Sequence, residues 1–230
     1  MIPYVLVFTC EHAGNQIPDT YITFFQHAKA ALESHRGWDP GAIPIAEALA
    51  RHFEEPLFAH YQSRLLVEVN RSVDHEQLWS EFSDVLTLEE KEAVLELYYW
   101  SYRNRVETHI ANLVSEGYCV VHLSVHTFTP IWKGKKRDVE IGLLFDEDRA
   151  SEKEFCEELG VYLQQQCEYI IRSNEPYQGS ADGFTTYLRT KFDQSCYLGI
   201  ELEISQEYAM THSQPIAQLF CTSLQHTLKK

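Results

Sequence analysis

Apolar residues recur along the chain in two rhythms that alternate. Residues 4–9 form a short β-rich apolar run ending in a polar, glycine-containing turn, which predicts a buried strand. Residues 42–53 carry apolar positions at helical spacing behind Asp39-Pro40-Gly41, which predicts a helix. Residues 65–69 read as a second strand. Residues 87–115 are the longest helical stretch, and Thr87-Leu88-Glu89-Glu90 opens it with a capping-box pattern. Residues 119–125 and 139–145 read as strands. Residues 151–167 read as a helix in which Ser151 and Glu154 repeat the capping pattern. Residues 197–204 form a late strand and residues 214–228 a terminal helix. Strands separated by helices of this length predict a three-layer α/β domain with a mainly parallel sheet. The chain has no internal repeat, low-complexity segment or Pro/Ser-rich linker, so residues 1–230 are expected to form a single domain.

Composition narrows the function. With 44% hydrophobic and 13% aromatic residues in 230, the chain can close a sizeable core and is neither disordered nor collagen-like. Lys+Arg of 19 against Asp+Glu of 34 leaves a net charge of −15, a field that repels nucleic acid and anionic membranes. A small anionic substrate would be repelled too, unless the site concentrates positive charge locally. No run of eighteen apolar residues exists to span a bilayer, and Met1-Ile2-Pro3-Tyr4 lacks the basic start of a signal peptide, so a cytoplasmic protein is expected. The six cysteines (10, 119, 156, 167, 196, 221) form no C-x-x-C pair and read as reduced, mostly buried thiols. Cys10 could be a nucleophile, but its partner base would have to come from residues with better uses.

In such a sheet, function gathers at the carboxyl ends of the strands. There the chain places Cys10-Glu11-His12-Ala13-Gly14-Asn15, then Asn70-Arg71 with Arg64 just before, then His126-Thr127-Phe128-Thr129-Pro130. Glu201 and Glu203 share a face of the late strand by alternation, and Asp39 stands at a helix entrance. Each has a plainer role when taken alone: a solvated histidine, a helix cap, a turn with a surface ion pair, an edge glutamate. The convergence of two His, one Asp, a Glu and two Arg on one rim lifts the set above its members. Two imidazoles and a carboxylate, with a position left for water, make the usual catalytic zinc shell. No H-E-x-x-H helix is present, so this is not an ordinary zincin.

These residues carry a resemblance. Residues 7–18, Trp38-Asp39-Pro40-Gly41-Ala42, residues 63–71 and His126-Thr127-Phe128-Thr129-Pro130 resemble motifs of the N-formylglutamate amidohydrolase family. Arg137 with residues 141–146, Asn174-Glu175-Pro176-Tyr177 with Asp182-Gly183, and residues 199–206 continue the match in order. The resemblance implies a phosphorylase/hydrolase-like α/β fold, distantly related to zinc carboxypeptidases. It also implies hydrolysis of an N-acyl amino acid, in the type case N-formyl-L-glutamate, with one Zn²⁺ per chain. Carboxypeptidases hold zinc with a His-x-x-Glu pair and a later His. His12 and His126 match the histidines, but Asn15 stands where the Glu belongs. The third ligand is therefore expected to be Asp39, with Glu11 as runner-up.

The same comparison implies that Asn70, Arg71 and Arg64 clamp the substrate carboxylate, with Arg137 or Tyr177 completing the pocket. Glu203 matches the general base, Glu201 being the alternative two residues away. Arg64 or Arg137 would stabilise the oxyanion. The competing expectation for the clamp is that Arg64 or Arg71 merely pairs with Glu68 or Asp74. The competing class is a non-catalytic metal- or ligand-binding protein that keeps the fold.

Overall fold

The computed structural model describes residues 3–229. Strand β1 (Tyr4–Cys10) is followed by a 3-10 helix (Asp19–Phe25), a short α1 (Lys29–Leu32), α2 (Ala42–Phe53) and β2 (Leu57–Ala59). Helix α3 (Leu88–Val94), a π-helical segment (Leu95–Trp100) and α4 (Ser101–Ser115) run on into β3 (Cys119–Phe128). A small hairpin of β4 (Ile131–Trp132) and β5 (Lys135–Lys136) precedes β6 (Ile141–Leu144), α5 (Ala150–Gln166), β7 (Ile171–Ser173) and α6 (Phe184–Arg189). Strand β8 (Tyr197–Ser205), α7 (Gln206–Ala209) and α8 (Ser213–Thr227) follow.

Six strands form one sheet in the order β2-β1-β3-β8-β6-β7. All neighbours are parallel except β8 and β6, which meet antiparallel. Helices cover both faces, giving the mainly parallel α/β architecture that the strand–helix alternation predicts. No helix among the described residues is long and apolar enough to cross a membrane.

The central strands show how apolar alternation and chemistry share one backbone. On β3, Val121, Leu123 and Val125 join a core with α2, α5 and α8. On β8, Leu198, Ile200, Leu202 and Ile204 join the same core. The intervening residues point to the opposite face, so His122, Ser124 and His126 lie in file on β3, beside Glu201 and Glu203 on β8. His126 pairs in register with Glu203, and Ser124 with Glu201. Towards the starts of the strands, this second face is closed by a core that includes Val7, Val67, Val106, Phe184 and Tyr197.

Two expectations from the sequence are corrected. Residues 65–69 are not a strand: Leu66 N–H closes a turn onto Ser63 O, Glu68 N–H bonds across to Leu78 O, and the run packs into the second core. An apolar run signals burial, not pairing, and β2 occupies the free edge of β1. Ser151 does not cap α5 either. Its hydroxyl donates to Gln194 O at 2.7 Å, and Arg149 stands at the N-cap. The capping box of Thr87 and Glu90 does form. Cys10 is fully buried, and burial drives its thiol pKa well above the ordinary value, which removes the nucleophile reading.

Two glycines bring the backbone to the site. Gly41, at φ 90°, ends the turn that carries Asp39, and a Cβ there would press on Ala209. Gly142 on β6 pairs with Glu203, and a Cβ there would overlap the Glu175 carbonyl oxygen and sit 3.2 Å from the Glu203 Cβ. Gly142→Ala is therefore expected to lower unfolding stability by about 1–3 kcal/mol, as overpacking does. Denaturant unfolding checks this, and a change below the scatter of the assay would show that the sheet yields there at no cost.

Candidate active site

His12 leaves β1 in a turn held by Asp39 N–H to His12 O (3.0 Å) and Ala13 N–H to His60 O (3.0 Å). His126 projects from the buried end of β3, and Asp39 from the turn before α2. These elements converge. His12 Nδ1 lies 3.2 Å from His126 Nδ1 and 3.2 Å from Asp39 Oδ2, while His126 Nδ1 is 2.9 Å from the same oxygen. All three residues are at most 4% exposed.

The far ring nitrogens set the protonation. His12 Nε2 lies 2.6 Å from Glu68 Oε1, and His126 Nε2 lies 3.2 Å from Glu11 Oε2 and 2.9 Å from Ser124 Oγ. Burial opposes ionisation of Glu68, but Arg64 and His12 outweigh it and hold the carboxyl below its usual range. Burial likewise opposes ionisation of Glu11 and is overcome by His126. Ionised carboxylates only accept hydrogen bonds, so both Nε2 atoms donate and both Nδ1 lone pairs face Asp39. Asp39 is itself held ionised by His12 and His126 against its burial.

That leaves electron pairs on three buried atoms converging on one point. In the metal-free protein, burial disfavours a charged His126, but Asp39 and Glu11 prevail and raise its pKa well above the ordinary value. A proton is then shared where a cation fits. The separations of 2.9–3.2 Å match the roughly 3.3 Å between two donors on a tetrahedral zinc. His12, Asp39 and His126 thus form a possible metal-binding triad.

Apart from Glu11 and Arg137, the remaining site residues singled out in the sequence line a cleft of about 600 Å³, with His12, Asp39, Arg64, Asn70, Arg71, His126, Tyr177, Glu201 and Glu203 in its wall. Glu11 is brought to the opposite side of His126, away from the two Nδ1 atoms, where it also accepts from Tyr102 OH and Ser124 Oγ. Glu203 is buried, and its Oε2 has no hydrogen-bond partner. Burial pushes its carboxyl up to about 8; His126 and Arg64 oppose the shift, while Asp39 and Glu201 reinforce it. Glu201 is occupied by Thr185 Oγ1 at 2.8 Å.

Arg64 grips Glu68 through Nε at 2.6 Å and Nη2 at 2.5 Å, and reaches Asp39 Oδ1 at 3.5 Å. The Arg64–Glu68 pair exists, but it buttresses the imidazole–Asp39 cluster and is no surface contact. Arg71 donates to the Asp182 carbonyl and pairs with no carboxylate among the described residues. Asn70 Oδ1 accepts from Phe184 N–H at 2.8 Å. Arg137 stacks on Phe128, Trp132 and Tyr177, and its Nη2 donates to Tyr177 OH at 3.0 Å.

Sequence reasoning gave Glu68 only as an ion-pair partner for Arg64 or Arg71 and assigned no role to Ser124, Tyr102 or Trp132. Ser124 was discoverable from the alternation His122-x-Ser124-x-His126. Glu68 carried only a general signal, that a metal-binding imidazole wants a carboxylate behind it.

Fold and cleft define an α/β protein with a possible metal-binding triad beside a pocket that Arg64 and Arg71 line. The chain belongs to the N-formylglutamate amidohydrolase family, whose model matches residues 4–210. It is similar to the crystal structure of a gene product of Agrobacterium tumefaciens, at 27% identity and a TM-score of 0.79, over 96% of this chain and 90% of that one. It shares its fold with the N-formylglutamate amidohydrolase of Ralstonia eutropha JMP134, at 16% identity and a TM-score of 0.72, over 99% and 94% of the two chains. No curated protein matches significantly.

Two measurements test the site. Glu68→Gln is expected to weaken zinc binding by about 10–100-fold, because the His12 tautomer is no longer enforced; competition with a chelator reads this, and unchanged affinity would remove Glu68 from the site. Glu203 provides a pH signature. Its folded pKa of about 8 exceeds the roughly 4.3 of an unfolded Glu, so ionisation works increasingly against the fold as pH rises through that window. In the metal-free protein, the Tm gained by Glu203→Gln should grow from pH 5 to pH 8 and then level off.

Proposed function

We propose that this protein is a zinc-dependent amidohydrolase, with one zinc per chain, that removes a formyl-type acyl group from an N-acyl amino acid such as N-formyl-L-glutamate. The observation that carries this reading is the convergence of His12 Nδ1, His126 Nδ1 and Asp39 Oδ2 within 3.2 Å, beside the unpartnered Glu203 Oε2. Zinc held by His12, Asp39 and His126 would supply a Lewis acid that polarises the amide carbonyl, acidifies water and favours the carboxylate form of Glu203. Glu203 takes a proton from the attacking water and delivers it to the leaving amine. Glu201, tied to Thr185, is the weaker candidate for that task. Arg64 keeps Glu68 ionised, and its Nη1, on the Asp39 side, is the donor for the developing oxyanion.

Arg71 and Asn70 hold the substrate carboxylate, with Arg137 and Tyr177 completing the wall. A guanidinium without a carboxylate partner suits this task, because its planar fork can take both oxygens of a ligand. The net charge of −15 is countered locally. Lys133, Lys135, Lys136 and Arg137 place four basic residues in five positions, on a hairpin whose Trp132 lines the cleft. Such a patch draws in an anion, and more weakly at high salt. The six free thiols suit a reducing compartment, and we place the protein in the cytoplasm.

Zinc per chain and turnover of N-formyl-L-glutamate, measured together, test the reading. The parent should carry zinc and hydrolyse the substrate. Glu203→Gln should keep the zinc and lose roughly two to four orders of magnitude in kcat. Arg71→Ala should lower kcat/KM about thirtyfold on the N-acyl amino acid and little on its carboxamide. Zinc uptake with no turnover of any N-acyl amino acid would favour a non-catalytic binding protein instead.

A further inference from the structure

Arg103, on α4, is 2% exposed, yet no carboxylate among the described residues pairs with it. Burying a guanidinium this deeply is expensive unless something else satisfies it. Three aromatic rings surround it: its guanidinium carbon lies 4.4 Å from the Phe184 ring centroid, 4.5 Å from Tyr187 and 4.9 Å from Tyr99. Among the described residues its only hydrogen-bond acceptors are main-chain carbonyls. Nη1 donates to Val69 O at 2.9 Å and to Arg71 O at 3.3 Å, and Nε has no partner.

Those two carbonyls flank Asn70. The cage reaches the same turn twice more, because Tyr99 OH donates to Arg71 O at 2.6 Å and Phe184 N–H donates to Asn70 Oδ1 at 2.8 Å. Tyr99 comes from the π-helical segment between α3 and α4, an irregularity that recurs at functional sites. Simple core filling would be served equally well by Met or Leu, without a buried charge. What those cannot do is hold two carbonyls in one plane while rings stack on the cation.

We propose that Arg103 is a positioning residue that fixes the Asn70–Arg71 turn so that both side chains present their donors to the substrate carboxylate. This rests on the reading above that Asn70 and Arg71 form the clamp.

Steady-state kinetics on N-formyl-L-glutamate and on its α-carboxamide, with zinc content measured alongside, provide the test. Arg103→Met should raise KM for the acid about tenfold while kcat stays within about twofold, zinc per chain is unchanged and the carboxamide is little affected. In a background carrying both Asn70→Ala and Arg71→Ala the same substitution should change KM by less than about twofold, since the residues it positions have gone. Tyr99→Phe, which deletes one hydroxyl and leaves the cage filled, should raise KM about threefold; it decides the matter if Arg103→Met does not fold. The inference is overturned if KM is unchanged, if acid and carboxamide suffer equally, or if the Arg103 effect persists in full when both Asn70 and Arg71 are alanine. A parent that carries zinc but hydrolyses neither compound overturns the underlying function as well, and is distinguished by failing before any variant is compared.

Discussion

A histidine can offer one ring nitrogen to a cation only when the other keeps the proton, and here two buried carboxylates impose that state. Glu68 holds His12 Nε2 and Glu11 holds His126 Nε2, so both Nδ1 atoms are left facing Asp39. Much of the surrounding architecture serves this constraint. Arg64 keeps Glu68 ionised, Tyr102 and Ser124 hold Glu11, and Gly41 lets the Asp39 turn close against Ala209. Burial disfavours a charged His126, but Asp39 and Glu11 prevail and raise its pKa above the ordinary value.

The sheet makes the cluster possible. Parallel pairing of β1, β3 and β8 brings their carboxyl ends to one rim, and the two-residue period assigns one face to the core and the other to chemistry. The antiparallel strand β6 then places Gly142 against Glu203, and the absent side chain lets the Glu175 carbonyl approach. Glu203 is thereby enclosed with an unpartnered oxygen and a carboxyl pushed up to about 8, the opposite of what Glu68 and Glu11 experience a few residues away. Carboxylates of one chemical type are thus sorted by surroundings into those that orient histidines and one able to exchange a proton.

Charge is also sorted by place. Arg64 is consumed by Glu68 and Asp39, whereas Arg71 and Arg137 meet no carboxylate among the described residues and stay available to a ligand. Arg103 is a third kind of cation, sealed among aromatic rings and turned towards the backbone. The cleft lining accordingly mixes Arg36, Arg64 and Arg71 with Asp39, Asp182, Glu201 and Glu203.

Much of this was legible in the chain. The strand–helix rhythm, the capping box at Thr87, the rim position of His12, Asp39, His126 and Glu203, and the ordered motifs of the family are properties of local sequence, because periodicity and turn chemistry act over a few residues. What the chain alone could not decide depends on contacts between distant segments. The run 65–69 shows burial but not whether it pairs, and the edge beside β1 went to residues 57–59. Ser151 has the residue type for a cap, yet its hydroxyl found Gln194 instead. Asp39 was the expected third ligand and Glu11 the runner-up, and it is the folded chain that turns one towards the Nδ1 atoms and the other towards Nε2. The buttress on His12 by Glu68 and the cage around Arg103 likewise join residues far apart in sequence. Which lone pair faces which partner is set by tertiary packing, and no local pattern encodes it.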